Sequence, residues 1–154
     1  MNILLTGANG FLGSHLLKTA VQHHNVFITL RAHSNITRIE QIIRDFNIPV
    51  LYTDSSNEFE IESFFDTNEI EMIIHCATDY GRQEKYFHRT FETNVLFPLK
   101  LIEIGLSKKL KYFINTDSYF NKDFMSYNAL PKYSKTKKLW KKSCCFTGLM
   151  IARL

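Results

Sequence analysis

Short apolar runs alternate with helix-period stretches along this 154-residue chain. Asn2 to Thr6 reads as a buried strand. Phe11 to Gln22 reads as a helix with Phe11, Leu12, His15, Leu16 and Thr19 near one face. Val26 to Leu30 is short and rich in β-formers. Ile36, Ile39, Ile42, Ile43 and Phe46 recur at helical spacing until Pro49, and Val50 to Tyr52 predicts a small strand. Phe59 to Phe65 predicts a short helix and Met72 to Cys76 a strand. Phe87, Phe91, Val95, Leu99, Ile102 and Leu106 mark a long helix over Lys85 to Ser107. Pro98 inside it demands a kink or an earlier break. Tyr112 to Asn115 predicts a strand, Tyr133 to Lys142 a helix and Leu149 to Arg153 a last strand.

This alternation predicts an α/β fold, a doubly wound parallel sheet of about six strands with helices on both faces. No internal repeat, low-complexity tract or linker interrupts it, so residues 1–154 read as one domain. In such a sheet ligands bind at the carboxyl ends of the strands, near the switch point in strand order.

Composition narrows the class. Hydrophobic residues are 45% and charged residues 22%, which excludes a disordered, collagen-like or coiled-coil chain. No apolar run approaches the ~18 residues of a membrane span, and the first residues lack the basic stretch of a signal peptide. Cys76, Cys144 and Cys145 have no metal-ligand spacing, so no metal site is expected. Unpaired cysteines fit a reducing, cytoplasmic compartment. The net charge is +4, but Lys132, Lys135, Lys137, Lys138, Lys141 and Lys142 fall within eleven residues, and without those six it is −2. One local patch is the solvated face of a helix rather than a nucleic-acid surface, with one lysine available for chemistry.

Thr6-Gly7-Ala8-Asn9-Gly10-Phe11-Leu12-Gly13 follows the first strand directly. Gly7 permits a tight turn, Gly10 lets a pyrophosphate approach the backbone, and Gly13 lets the helix pack close to the sheet. The helix amino terminus then offers free N–H groups and a positive dipole end to phosphate. The alternative is an ordinary tight turn between strand and helix. A second constellation, Tyr133-Ser134-Lys135-Thr136-Lys137, places Tyr133 and Lys137 on one helical face. An ammonium beside a phenol lowers the tyrosine pKa towards working pH and suits acid/base catalysis. Here the alternative is a surface tyrosine among solvated lysines.

Thr6 to Leu16 resembles the TGxxGxxG fingerprint of the extended short-chain dehydrogenases/reductases, the nucleotide-sugar-modifying branch of that family. The resemblance implies a Rossmann-like fold and a nicotinamide cofactor held by Gly7, Asn9, Gly10, Phe11, Leu12 and Gly13. It also implies contacts from Cys76, Ala77 and Thr78 after the fourth strand, and from Tyr133 and Lys137. Asp54, after the third strand, matches a family position that contacts adenine; a turn-forming aspartate reads equally well. After the second strand, Thr29 to Asn35 contains no acid. Arg31, with Ser34 or Asn35, could instead hold a 2′-phosphate, which favours NADP over NAD. The catalytic set implied is Ser118, Tyr133 and Lys137, with Thr116 as the alternative hydroxyl. Asn94 matches a family asparagine and is expected to tie its helix to the sheet.

Family dehydratases follow the catalytic hydroxyl with an Asp-Glu pair; Tyr119-Phe120 after Ser118, or Asp117-Ser118 after Thr116, does not match it. His75 to Arg82 and the Asn115-Thr116-Asp117-Ser118 run resemble the reductases of deoxysugar pathways of the CDP-abequose/paratose-synthase type. The expected activity is therefore NAD(P)-dependent oxidoreduction or epimerisation of a nucleotide sugar, most specifically keto-sugar reduction. A non-catalytic or vestigial NAD(P)-binding module is the alternative. The resemblance covers only the cofactor half of the family's length, and Met150 to Leu154 is an apolar strand with no polar tail. The reading expects a C-terminally truncated dinucleotide-binding domain with the substrate lobe absent. Expected partners are a nucleotide-sugar substrate and no nucleic acid or membrane; a homodimer is one assembly the resemblance allows.

Overall fold

The computed structural model describes residues 1–53, 57–82, 86–118, 130–143 and 150–153. Six strands form one parallel sheet: β1 (Asn2–Thr6), β2 (Asn25–Leu30), β3 (Val50–Tyr52), β4 (Met72–His75), β5 (Tyr112–Asn115) and β6 (Met150–Arg153). Their order is β3-β2-β1-β4-β5-β6, and every pairing is parallel. This is the doubly wound sheet expected, with the switch point between β1 and β4. Register puts Thr6 beside His75 and His75 beside Asn115, so three polar residues sit side by side at the strand ends.

Alternation along each strand divides the core in two. Leu4, Phe27, Ile73 and Phe113 face α3 (Glu58–Asn68), α5 (Phe97–Leu106) and Trp140 of α6 (Pro131–Ser143). Leu5, Ile28 and Leu30 face Leu17 of α1 (Phe11–Ala20), together with Ile39 and Ile48. Each such buried side chain contributes about 1.5–3 kcal/mol relative to exposure, so both faces hold the sheet. Trp140 packs its ring 5.6 Å from that of Phe113, which seats the carboxyl-terminal half of α6 on β5.

Several helices depart from their expected bounds for local reasons. α1 ends at Ala20, and Val21 to His24 close it with turn hydrogen bonds. α2 spans only Glu40–Asp45, because Asn35 Oδ1 accepts from the Thr37 N–H and hydroxyl and holds the preceding residues in a turn. α3 runs longer than predicted, capped by Asn57, whose Oδ1 accepts the Glu60 N–H. The expected long helix is three segments: α4 (Phe87–Phe91), a π-helical turn (Glu92–Leu96) and α5. Pro98 stands in the first turn of α5, where a missing N–H costs nothing, and the irregularity falls just upstream. α6 likewise starts at a proline, Pro131, two residues earlier than predicted.

Candidate functional site

The glycine loop joins β1 to α1 under tight steric control. Gly7 has φ +67°, and a Cβ there would lie 2.5 Å from the Ala77 backbone nitrogen. A Cβ on Gly13 would lie 2.1 Å from the Gly7 carbonyl oxygen. Gly13 therefore permits α1 to pack closely on the loop that leaves β1. Gly10 is less crowded, its nearest contact being the same oxygen at 3.2 Å, and its N–H donates to that oxygen at 3.0 Å. No side chain caps α1, so its first N–H groups remain available to an anion. Asn9 Nδ2 donates to the Asn35 carbonyl at 3.2 Å and ties this loop to the end of β2.

A cleft of about 850 Å³ opens over these strand ends. Gly7, Asn9, Gly10, Phe11, Leu12 and Gly13 line one side of it. Arg31 and Ser34 line it at the end of β2, and Cys76, Ala77 and Thr78 at the end of β4. Arg31 is exposed, and Ser34 Oγ accepts its backbone N–H at 3.1 Å. Asp54 lies outside the described residues. Cys76 is held by burial with its thiol pKa at about 11, so it is a small wall residue and no nucleophile.

Beneath the cleft, Thr6 Oγ1 accepts the Ala77 N–H at 3.2 Å and lies 2.7 Å from His75 Nδ1. Burial, with the Lys137 charge adding to it, lowers the His75 pKa to about 3, so the ring is neutral. Among the described residues its Nε2 and the Asn115 Oδ1 have no hydrogen-bond partner.

The loop after β4 delivers an aromatic that the sequence reading did not select. Asp79 Oδ1 accepts the Gly81 N–H at 2.7 Å and Oδ2 the Thr90 hydroxyl at 3.2 Å, while Gly81 adopts φ +64°. The resulting turn sets the Tyr80 ring 5.1 Å from the Tyr133 ring, with the Arg82 guanidinium 5.2 Å from the Tyr80 ring centre. Tyr80 and Arg82 line both the large cleft and a smaller cavity of about 250 Å³ beside it. The Asp-x-Gly spacing of residues 79–81 was the available turn signal. Asn94 accepts the Asp79 N–H and donates to the Asp79 carbonyl, both at 2.8 Å, and donates to Thr136 Oγ1 at 3.0 Å. It ties the π turn to this loop and to α6, not to the sheet as expected.

Ser118, Tyr133 and Lys137 converge where β5 ends against α6. Tyr133, Thr136, Lys137 and Trp140 form the buried stripe of α6, while Lys135 and Lys138 are exposed. Lys137 is thus the lysine of that cluster recruited inward: it is 2% exposed and donates to the Thr116 carbonyl at 2.7 Å. Burial lowers its pKa to about 8, against the opposing pull of Asp117 and Cys76. Its ammonium lies 5.9 Å from the Tyr133 ring centre. Ser118 hydrogen-bonds the Tyr133 phenol. The Thr116 hydroxyl instead donates to the His75 carbonyl at 3.2 Å. The Tyr133 pKa departs from expectation. It is raised, first by burial and further by Tyr80 and Asp117, with the Ser118 bond working the other way. Burial is the largest cause of that rise, so the phenol is not activated as predicted.

No helix among the described residues is long and apolar enough to cross a membrane, and no group of three metal-ligating side chains occurs among them. Residues 3–128 match the NAD dependent epimerase/dehydratase family. Two CDP-abequose synthases are similar: one from Salmonella muenchen, 34% identical over 88% of this chain, and one from Salmonella typhimurium, 28% identical over 88%. The chain spans 44% of the length of each. Among solved structures, a UDP-glucose 4-epimerase from Thermotoga maritima superposes with a TM-score of 0.81 at 20% identity, covering 99% of this chain and 54% of that one. The Bordetella bronchiseptica enzyme WbmG, solved in complex with NAD, superposes at 0.82 with 17% identity, covering 99% and 52%. With the glycine loop and strand order in place, the chain belongs to the NAD dependent epimerase/dehydratase family.

Proposed function

We propose that this domain binds NADP(H) and takes part in reduction of a keto group on a nucleotide sugar, in the manner of deoxysugar biosynthesis. The observation that carries this reading is that Tyr133, hydrogen-bonded to Ser118 and one helical turn from Lys137, lines the cleft that begins at the glycine loop. The cradle fits a dinucleotide: Gly7 and Gly13 have no room for a Cβ, and the α1 amino terminus is uncapped. Gly10 and the first N–H groups of α1 would hold the pyrophosphate, Arg31 and Ser34 the 2′-phosphate, and Lys137 the nicotinamide ribose. The bound cofactor supplies hydride. Tyr133 gives its Oη proton to the carbonyl oxygen being reduced, and Ser118 orients that oxygen by hydrogen bonding. Lys137 supplies positive charge beneath the phenol as it ionises.

The similarity to CDP-abequose synthases supports a nucleotide-linked deoxyhexose as substrate and reduction as the reaction. Since the chain spans less than half their length, the sugar pocket of the whole protein is part of this proposal. The absence of an acid between Thr29 and Asn35 supports NADP over NAD. Calorimetric titration with NADPH and NADH tests it. NADPH should bind more tightly, and Arg31→Ala should remove a charge-assisted contact worth about 1.5–3 kcal/mol, about ten- to a hundredfold in Kd. Equal affinities unchanged by Arg31→Ala would overturn the 2′-phosphate assignment.

A further inference from the structure

The cavity beside the cleft has a charge pattern of its own. Arg82 and Lys132 line it together with Tyr80, Gly81, Leu130 and Pro131. Gly81 seats Lys132 next to Arg82. It adopts φ +64°, and a Cβ there would lie 3.2 Å from Lys132 Cβ and 3.3 Å from its Cδ, so the lysine stem packs against the glycine. Arg82 is exposed and sits 5.2 Å from the Tyr80 ring centre, within cation–π range. The amino end of α6 adds the positive end of its dipole, with no acid in its first turn. No acidic side chain among the described residues lines the cavity. Asp79 lines the cleft instead, and its two carboxylate oxygens already accept the Gly81 N–H and the Thr90 hydroxyl. We infer that this cavity is an anion subsite, in which Arg82 and Lys132 hold the diphosphate of the nucleotide sugar.

The identity of the anion rests on the proposed nucleotide-sugar substrate; its charge follows from the lining alone. In that reading the cofactor occupies the cleft from the glycine loop, and the ketone oxygen meets the Tyr133 phenol. The diphosphate on the sugar then projects from the Tyr133 end. Tyr80 and Arg82 are the wall that the cavity shares with the cleft, and the Tyr80 ring lies 5.1 Å from that of Tyr133. A dianionic linker placed against a guanidinium and an ammonium gains charge-assisted hydrogen bonds. A free hexose makes none of these bonds, so the two cations select the nucleotide-linked substrate.

The test is 15N NMR of this chain titrated with inorganic pyrophosphate, which reports each amide separately. The Gly81, Arg82 and Lys132 amides should shift together. Arg82→Gln removes one charge, and Lys132→Met keeps the stem on Gly81 while removing the other. Each should raise the pyrophosphate midpoint by about tenfold or more. Lys135→Gln removes an exposed charge from the same helix outside the cavity and should leave the midpoint unchanged. Inorganic phosphate should bind more weakly than pyrophosphate, which brings more charge to the two cations. Absent shifts at these amides, wild-type midpoints in Arg82→Gln and Lys132→Met, an equal rise in Lys135→Gln, or equal affinity for the two anions would overturn the inference. Nucleotide-sugar turnover by the whole enzyme, assayed separately, decides the proposed reaction: its absence would remove that reading, while the pyrophosphate titration still decides the anion subsite.

Discussion

Asn94 Nδ2 donates to Thr136 Oγ1 at 3.0 Å, joining the π-helical turn to the helix that carries Tyr133 and Lys137. Thr136 passes its own hydrogen to the Tyr133 carbonyl at 2.8 Å. Asn94 is 2% exposed, and its remaining bonds hold Asp79 and, through the Asp79 turn, Tyr80. One buried amide thus fixes both aromatic rings of the site.

Asn94→Ala should therefore destabilise the domain by about 2–3 kcal/mol, since it leaves part-buried backbone groups of Asp79 without their amide partner. Thr136→Val removes fewer partners and should cost about 1 kcal/mol. Urea denaturation of both variants checks the order. A larger loss in Thr136→Val would place the hub elsewhere.

Gly13→Ala should be far more damaging to the fold than Gly10→Ala. The added methyl at Gly13 meets a backbone carbonyl at 2.1 Å, which no rotamer relieves, whereas at Gly10 the contact is 3.2 Å. Overpacking of this kind costs about 1–3 kcal/mol or more. Gly10→Ala should retain a near-normal thermal midpoint and still lose nucleotide affinity, because its methyl occupies the pyrophosphate's approach. Thermal melts and nucleotide titration separate the two effects.

His75 makes stability fall in mild acid. Its folded pKa is about 3, below the ordinary histidine value of 6.5, so the unfolded chain binds the extra proton between those limits. The contribution is fully present above pH 6.5 and is lost as pH falls towards 3, at about 1.4 kcal/mol per pH unit. Denaturant unfolding between pH 6.5 and 5 should show this slope in wild type and lose it in His75→Gln. An equal slope in the two proteins would show that His75 is not the group responsible.

Tyr133→Phe keeps the ring and removes the proton carrier. In the whole enzyme, turnover should fall by about a hundredfold or more while NADPH affinity changes little. Normal turnover in this variant would exclude Tyr133 as the acid.

The sheet, the glycine loop and the tyrosine–lysine spacing were legible in the sequence because each depends on residues close together in the chain. Strand periodicity placed all six strands within a residue or two, and four-residue spacing put Tyr133 and Lys137 on one helical face. What the chain could not show by itself was the outcome of packing between distant segments. Spacing from Tyr133 picked out Lys137, but its 2% exposure and its bond to the Thr116 carbonyl come from packing, with Trp140 on Phe113 turning that face of α6 inward. Pro98 signalled a disturbance, but the position of the π turn was set by where Asn94 meets Asp79 and Thr136, fifteen and forty-two residues away. The direction of the Tyr133 shift was also a tertiary matter. It depends first on burial, with Tyr80 and Asp117 adding to it, and a spacing rule that counts only the nearby ammonium predicts the opposite sign.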